Sequence, residues 1–295
     1  MNKTEKAILK VIAFFDLSQK ALELEEVWQF LHRTRSSKVQ VLIGLQNLEK
    51  EGVIAKENEL YFLAGRTKVL DKMAEREKLQ AERMRKVEQF AKLFSYAPFV
   101  QNISVTGSLA TGTSLEDSDI NLLIIARKHR AWLAKTFVTM ILETFGQNKS
   151  RWYRANKFSV NIVLDESRLD LGELKLKKDD YLAYWLANLV PVLDRGVYKK
   201  LIEENSWIYR EFPNWQAKEV ESRSVRYTFL EKFLLSDRVL NFWARAKKFE
   251  QIKTRWNFLK IKSREIEKTF FKANGDLKRK EHQNKLQKVL EKVAK

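Results

Sequence analysis

The chain of 295 residues contains no cysteine, only three prolines and nine glycines. The lack of cysteine excludes disulfide bonds and thiolate metal sites, so we expect a reducing, cytoplasmic setting. Few prolines and glycines indicate long helices joined by short connections. No apolar run approaches the roughly 20 residues that a membrane-spanning helix needs, and the basic N-terminus lacks a small-residue cleavage site. We therefore expect neither a membrane span nor a signal peptide.

Positive charge is what the sequence has in excess. The formal net charge is +18, and residues 241–295 alone carry 17 Lys and Arg against 6 Asp and Glu. Concentrated positive charge is typical of surfaces that bind a polyanion such as nucleic acid. Solvated helix faces that only keep a protein in solution have the same pattern. We favour nucleic-acid contact through the basic C-terminus, because the N-terminal residues point to the same partner.

Residues 1–65 have the pattern of three short helices followed by a β-hairpin. Apolar residues recur at helical spacing, and Ser36 or Ser37 is placed to cap the third helix. Two apolar stretches, residues 53–55 and 60–63, flank a polar turn as the strands of a hairpin do. This order of elements resembles a winged helix-turn-helix, which lays its third helix in the DNA major groove.

The winged-helix resemblance implies DNA contacts near the start of the third helix. The candidates are Arg33, Arg35, Lys38 and Gln40. Winged helices also serve as protein-docking or dimerisation modules, and the glutamates among residues 1–65 keep this segment from being strongly basic. DNA reading and protein docking therefore stand as equal alternatives.

We expect an α+β protein, with a small mixed β-sheet between the N-terminal unit and a C-terminal helical region. Residues 66–97 are predicted to form a charged connector helix, which Pro98 ends. Residues 98–196 then alternate between strands and helices. The strands are predicted over residues 103–106, 120–125 and 158–164, with an edge strand at 190–193, and the helices over residues 132–145 and 181–189. Residues 197–295 are predicted as a basic helical region with a long helix near 220–249, in which residues 278–295 form a basic tail that orders only on a partner.

The clearest chemical signature lies between the first two strands of this sheet. The first strand ends in Gly107-Ser108, Gly112 follows, and the second strand begins with Asp119 and Asn121. Gly107 permits a close backbone approach, and the amides of the following helix, together with Ser108, can bind phosphate oxygens. Positions 119 and 121 are two apart on a strand, so their side chains point to the same face.

This pattern resembles the signature of the nucleotidyltransferase superfamily, the fold of DNA polymerase β and kanamycin nucleotidyltransferase. The resemblance implies transfer of a nucleotide from an NTP to an acceptor hydroxyl that the sequence does not identify, with Mg²⁺ or Mn²⁺ aligning the triphosphate. It implies that Gly107, Ser108 and Gly112 bind the nucleotide. Asp119 and Asn121 would then be the catalytic positions, with Asp119 as the metal ligand.

The sequence departs from this signature at its second carboxylate, which Asn121 replaces. An amide oxygen can ligate a hard cation, but it lacks the charge on which divalent-metal affinity depends. The third acidic group of the superfamily would fall on Asn161, another amide, and Asp165, Asp117 or Glu116 are the carboxylates that could compensate. Two hypotheses follow. The protein is a nucleotidyltransferase with an impaired metal site, or a non-catalytic regulator that binds nucleotide or nucleic acid.

Overall fold

The computed structural model describes residues 1–71, 73–150, 153–176, 180–220 and 276–293. Its N-terminal unit contains the helices α1 (Lys3–Asp16), α2 (Leu24–Gln29) and α3 (Lys38–Lys50) and the antiparallel strands β1 (Ile54–Glu57) and β2 (Leu60–Leu63). Asn2 and Ser37 begin α1 and α3 through capping boxes, in which side chain and backbone amide satisfy each other reciprocally. The three helices and the hairpin follow each other in the predicted order.

Helices α4 (Lys68–Asp71) and α5 (Met73–Phe94) lead from this unit to a four-stranded sheet. The sheet region contains β3 (Val100–Thr106), α6 (Gly107–Thr111), β4 (Ile120–Ala126), α7 (Ala131–Thr144), β5 (Phe158–Asp165), a 3-10 turn (Gly172–Leu174), α8 (Tyr181–Ala187) and β6 (Val190–Asp194). It is followed by α9 (Val197–Glu204), α10 (Ile208–Glu211) and α11 (Asp276–Val293). The prediction of a mixed α+β fold is confirmed. The long helix predicted near residues 220–249 lies outside the described residues.

The strand order of the sheet is β5-β4-β3-β6, with β3 antiparallel to β4 and β6, and β4 parallel to β5. Strand β6 is an edge strand, as its proline predicts. Proline has no backbone N–H, so it is tolerated at the edge of a sheet, where one side of the strand needs no hydrogen-bond donors. These directions bring the end of β3 beside the starts of β4 and β5. Thr106 lies opposite Asn121, and Asn121 lies opposite Ser159. The predicted phosphate turn therefore adjoins the first residues of both strands.

Strand β4 separates two hydrophobic clusters. Leu123 belongs to a cluster that contains the N-terminal helices and α8 to α11, whereas Leu122 belongs to a cluster with α5 and α7. In the first cluster Phe14 of α1 stacks on Tyr184 of α8, with ring centroids 3.6 Å apart. The N-terminal unit thus shares a hydrophobic core with the helices that follow the sheet.

Helix α11 packs against the N-terminal unit. Leu286 is buried, and the ring of His282 lies 4.7 Å from the ring of Phe14. The prediction of a basic tail over residues 278–295 that orders only on a partner is wrong for residues 278–293, because the apolar side chains of this helix reach the same core as α1. Among the residues that the structure describes, no helix is both long enough and apolar enough to cross a bilayer.

Candidate functional site

The turn between β3 and α6 depends on a glycine. Gly107 has a φ of +68°, a backbone conformation that other residues rarely adopt. A Cβ atom at this position would lie 3.3 Å from Nδ2 of Asn121, so the turn rests directly against the start of β4. Ser108 follows, and its Oγ lies 3.4 Å from Oγ of Ser114.

A chain of hydrogen bonds links the starts of β4 and β5. Nδ2 of Asn121 donates to Oδ1 of Asp119 at 3.2 Å, and Nδ2 of Asn161 donates to Oδ1 of Asn121. Oγ of Ser159 donates to Oδ1 of Asn161 at 2.5 Å. Residues two apart on a strand share one face, so the register of the two strands places these side chains together. The structure therefore brings Asp119, Asn121 and Asn161 into one group, as their spacing predicts.

The second oxygen of Asp119 pairs with a lysine that the motif does not contain. Nζ of Lys149 contacts Oδ2 of Asp119, and the two side chains are 28% and 13% exposed. Lys149 lies between α7 and β5, where its backbone N–H donates to the carbonyl of Phe158 at 2.8 Å. Sequence reasoning missed this residue. A signal existed, since residues 146–164 contain no Asp or Glu. Asp119, Asn121, Lys149, Ser159 and Asn161 are called the Asp119 group below.

The loop that leads into Asp119 is held from two sides. Arg83 of α5 is buried, and its Nη2 donates to the carbonyl of Glu116 at 2.8 Å. Burial lowers the pKa of this guanidinium, and nearby carboxylates, Asp117 among them, partly oppose that effect. On the other side, the backbone N–H of Asn156 donates to the carbonyl of Ser118 at 3.0 Å. The loop is therefore fixed by α5 and by the segment before β5.

This arrangement agrees with a comparison to known protein families. The model of the nucleotidyltransferase domain family matches residues 83–293. The chain belongs to this family. The match starts within α5 and leaves residues 1–82 outside it. It indicates a function of the nucleotidyltransferase type, with a nucleotide as substrate or ligand. Neither a curated protein nor a solved structure matches the chain.

The donors of this nucleotidyltransferase domain do not fit a divalent cation. Asp119 is the one carboxylate of its group, and both of its oxygens have partners. Oδ1 of Asn121 is occupied by the amide of Asn161. Within the described ranges, no three His, Cys, Asp or Glu side chains are grouped to hold a metal. The charges of Asp119 and Lys149 cancel, so the group attracts a dication far less than three carboxylates would.

Asp165 does not supply the missing charge. It pairs with Ala126 at the end of β5, whereas Asp119 immediately precedes β4 at the opposite end of the sheet. Its oxygens accept hydrogen bonds from the backbone of Ser167 at 2.9 Å and of His129 at 2.5 Å. The idea that Asp165 compensates is therefore wrong, because β5 runs parallel to β4 and carries its last residue away from the nucleotidyltransferase signature.

Gly112 lies at the other end of α6 from Gly107. It ends the helix with a φ of +71°, and a Cβ atom there would lie 3.0 Å from Oε1 of Gln80 and 3.6 Å from Nζ of Lys20. It lines a cavity of about 540 Å³ that is bounded by the N-terminal unit, α5, α6, the end of α8 and residues 215–218. Helix termination and close packing explain this glycine, and its contact with a nucleotide stays a prediction.

The four residues predicted to contact DNA have different surroundings. Arg33 and Lys38 pair with carboxylates, at 2.7 Å from Glu211 and 2.6 Å from Glu25. The side chain of Gln40 takes part in the capping box that begins α3. Arg35 is exposed and lines an open cleft of about 470 Å³. All four residues are exposed, and Arg33, Lys38 and Gln40 also contact other residues of the chain.

Proposed function

We propose that this nucleotidyltransferase domain binds a nucleotide at the Gly107 turn without transferring it, and that the protein acts as a regulator. The observation that carries the proposal is the composition of the Asp119 group. Asn121 and Asn161 stand where the superfamily has carboxylates, and Lys149 pairs with the carboxylate that remains. Nucleotide transfer in this superfamily needs dications that neutralise charge developing on the phosphates, and this group offers them a single carboxylate, which is already paired with Lys149.

The retained turn supports the nucleotide-binding part of the proposal. The positive φ of Gly107 and its packing on Asn121 allow the chain to turn sharply from β3 into α6. The first amides of a helix have no carbonyl partner inside it and are suited to phosphate oxygens. Gly107 and Ser108 are therefore proposed to hold the phosphates.

A second candidate is a working nucleotidyltransferase with a weakened metal site. The family match over residues 83–293 favours it, as does the retention of Asp119 beside the turn. In that case Asp119 would be the principal ligand of Mg²⁺ or Mn²⁺, and Asn121 a weakened one. The acceptor would be a hydroxyl group on a molecule still to be identified.

A transfer assay separates the two candidates. The full chain is incubated with labelled NTPs and Mg²⁺ or Mn²⁺, as wild type and as the double variant Asn121→Asp/Asn161→Asp. We expect no transfer by the wild type, because its site lacks two of three carboxylates. Sustained transfer by the wild type would overturn the proposal. Asn58→Asp is the control, because it adds a carboxylate in the exposed turn between β1 and β2.

Nucleotide binding itself is measured by equilibrium dialysis of the wild type with ATP, GTP, CTP and UTP. Retention of at least one of them is expected from the preserved turn. Failure to retain any of them, with and without Mg²⁺, would overturn the proposal independently of the transfer assay.

The N-terminal unit is proposed to be a winged helix-turn-helix that docks on the nucleotidyltransferase domain. The contact between Arg33 and Glu211 supports docking, as does the hydrogen bond of 2.9 Å from Asn214 Nδ2 to the carbonyl of Trp28. DNA contact is the alternative, with Arg35 as its best-placed residue. A salt titration of DNA and RNA binding tests it, since phosphate contacts must weaken steeply as salt rises. The same titration tests the nucleic-acid contact predicted for the basic C-terminus.

A further inference from the structure

We infer that Lys149 takes the place of the dication in this domain, so that a nucleoside triphosphate binds here in its metal-free form. The inference rests on the proposed function and adds to it the charge state of the ligand. It concerns a residue outside the Gly-Ser and aspartate signature.

The first support is the position of the ammonium group. Nζ of Lys149 contacts Asp119, whose other oxygen accepts from Asn121, and Asn121 in turn packs on Gly107. The lysine thus belongs to a continuous group of side chains that ends at the predicted phosphate turn. An ammonium has three N–H donors, and within the described residues Asp119 is the one side chain that it contacts. With 28% of its side chain exposed, Lys149 remains accessible to a phosphate oxygen.

The second support is the balance of charge. Three carboxylates at this position would repel a triphosphate unless dications lay between them. In this chain Asn121 and Asn161 are neutral, and Lys149 cancels the charge of Asp119. A metal-free triphosphate therefore meets no net negative charge in the Asp119 group and gains a hydrogen bond to a charged donor, which is among the stronger contacts available to phosphate. A triphosphate with bound Mg²⁺ has a smaller negative charge, so Lys149 attracts it less strongly. Its metal ion also finds no unpaired carboxylate in the Asp119 group.

The third support is the segment that carries Lys149. Residues 146–164 contain four Lys and Arg and no Asp or Glu. Nζ of Lys157 donates to the carbonyl of Gly146 at 2.6 Å, and Nζ of Lys86 donates to the carbonyl of Asn156 at 2.5 Å. Backbone carbonyls leave the charge of a lysine in place, whereas carboxylates would cancel it. Burial, and after it the charge of Lys157, lowers the pKa of Lys86, as expected where cations lie together.

The test is isothermal titration calorimetry of the full chain with inorganic triphosphate and with ATP, each in EDTA and in excess Mg²⁺. The wild type is expected to bind both probes in EDTA at least as tightly as in Mg²⁺. Lys149→Met is expected to weaken binding in EDTA by about tenfold or more, because it removes a charged donor. Lys149→Arg keeps the charge and is expected to stay within about threefold of the wild type. Lys199→Met is the control, because Lys199 lies on α9 with its side chain 85% exposed.

Each outcome has a distinct meaning. Binding of ATP that requires Mg²⁺ would overturn the inference and leave nucleotide binding intact, whereas no binding in either buffer would overturn the proposed function. Unchanged affinity in Lys149→Met would also overturn the inference. Thermal unfolding checks the fold of Lys149→Met. The double variant Asn121→Asp/Asn161→Asp tests the same inference without changing Lys149. Restored carboxylates are expected to weaken metal-free binding by about tenfold and to make binding depend on Mg²⁺. Tight metal-free binding by that variant would contradict the charge argument.

Discussion

Arg33 and Glu211 join the N-terminal unit to the nucleotidyltransferase domain through two hydrogen bonds, Nε to Oε2 at 2.7 Å and Nη2 to Oε1 at 3.1 Å. Lys175 donates to the same carboxylate at 2.8 Å, and Nε2 of His32 lies 3.2 Å from it. The sequence pattern predicted Arg33 as a DNA contact. In the structure its guanidinium binds a carboxylate of the same chain, and its contact with DNA stays a prediction.

The network around Glu211 predicts a loss of stability in acid. Burial alone would raise the pKa of Glu211, but the hydrogen bonds from Arg33 and Lys175 outweigh it and lower the pKa to about 2. A glutamate of the unfolded chain titrates near 4.3, so the unfolded state takes up the proton first as the pH falls. The stabilisation is therefore complete above about pH 5 and is lost as the pH approaches 2, with a size of about 2 to 3 kcal/mol. Urea unfolding of wild type and Glu211→Gln at pH 7 and pH 3 is expected to show the smaller pH dependence in the variant.

Glu59→Gln is the matched control for this measurement. Glu59 also pairs with a lysine, Lys56 at 2.8 Å, but its side chain is 84% exposed. Exposed ion pairs contribute little to stability, so this variant is expected to follow the wild type at both pH values. Equal pH dependence of Glu211→Gln and the wild type would contradict the prediction.

Gly107→Ala is expected to reduce both stability and nucleotide affinity. Its positive φ costs a residue with a Cβ atom roughly 1 to 2 kcal/mol, and that atom would press on the amide of Asn121 beside Asp119. Gly65→Ala separates the two effects, because Gly65 has a φ of +76° but open space around its Cβ position. The temperature of thermal unfolding is expected to fall in both variants, whereas the ATP affinity measured by calorimetry is expected to fall in Gly107→Ala alone. A normal ATP affinity in Gly107→Ala would argue against phosphate binding at this turn.

Arg83 is expected to position the loop before Asp119. Arg83→Met removes the hydrogen bond from the buried guanidinium to the carbonyl of Glu116, at an expected loss of about 1 to 3 kcal/mol of unfolding free energy. Arg76→Met is the control on the same helix, since Arg76 is also buried but donates to the backbone of Ser18 and Gln19 in the N-terminal unit. Both variants are expected to unfold at lower temperature, and only Arg83→Met to bind ATP more weakly. Equal ATP affinities in the two variants would show that Arg83 has a structural role alone.

Local patterns in the sequence were sufficient for the strands and for the core of the site. The buried run at residues 120–125, the proline in β6 and the two-residue spacing of Asp119 and Asn121 each follow from short-range physics. The resemblance to the nucleotidyltransferase signature placed the third acidic position on Asn161. Each of these features is determined by residues that lie close together in the sequence, so it can be predicted without knowing how distant segments pack.

Other features depend on how distant segments meet. Lys149 lies in a connection 30 residues from Asp119, and nothing in its local sequence states which carboxylate it reaches. Asp165 was considered as a replacement for the missing carboxylate, but the parallel direction of β5 places it at the opposite end of the sheet from Asp119. The segment of helix α11 was expected as a tail because it is basic, yet Leu286 and its apolar neighbours pack on the same core as α1. Such contacts are properties of the assembled fold.

The aromatic cluster that joins α1 to α8 gives a final prediction. The ring of Tyr184 stacks on Phe14 at 3.6 Å and lies 4.7 Å from that of Phe212, while its hydroxyl is buried without a hydrogen-bond partner among the described residues. Burial raises the pKa of this phenol well above its ordinary value, so the group stays protonated and its O–H remains a donor. An unsatisfied buried hydroxyl costs about 1 to 3 kcal/mol.

Tyr184→Phe is therefore expected to raise the free energy of unfolding by about 1 kcal/mol, because it removes the hydroxyl and keeps the ring. Tyr184→Ala is expected to lower it by about 3 to 5 kcal/mol, because it also removes the stacking with Phe14 and leaves a cavity. Tyr209→Phe, at a residue that is 43% exposed, is the control and is expected to leave stability unchanged. Urea unfolding at neutral pH measures all three variants. A loss of stability in Tyr184→Phe would contradict the prediction, because it would mean that the hydroxyl does have a hydrogen-bond partner.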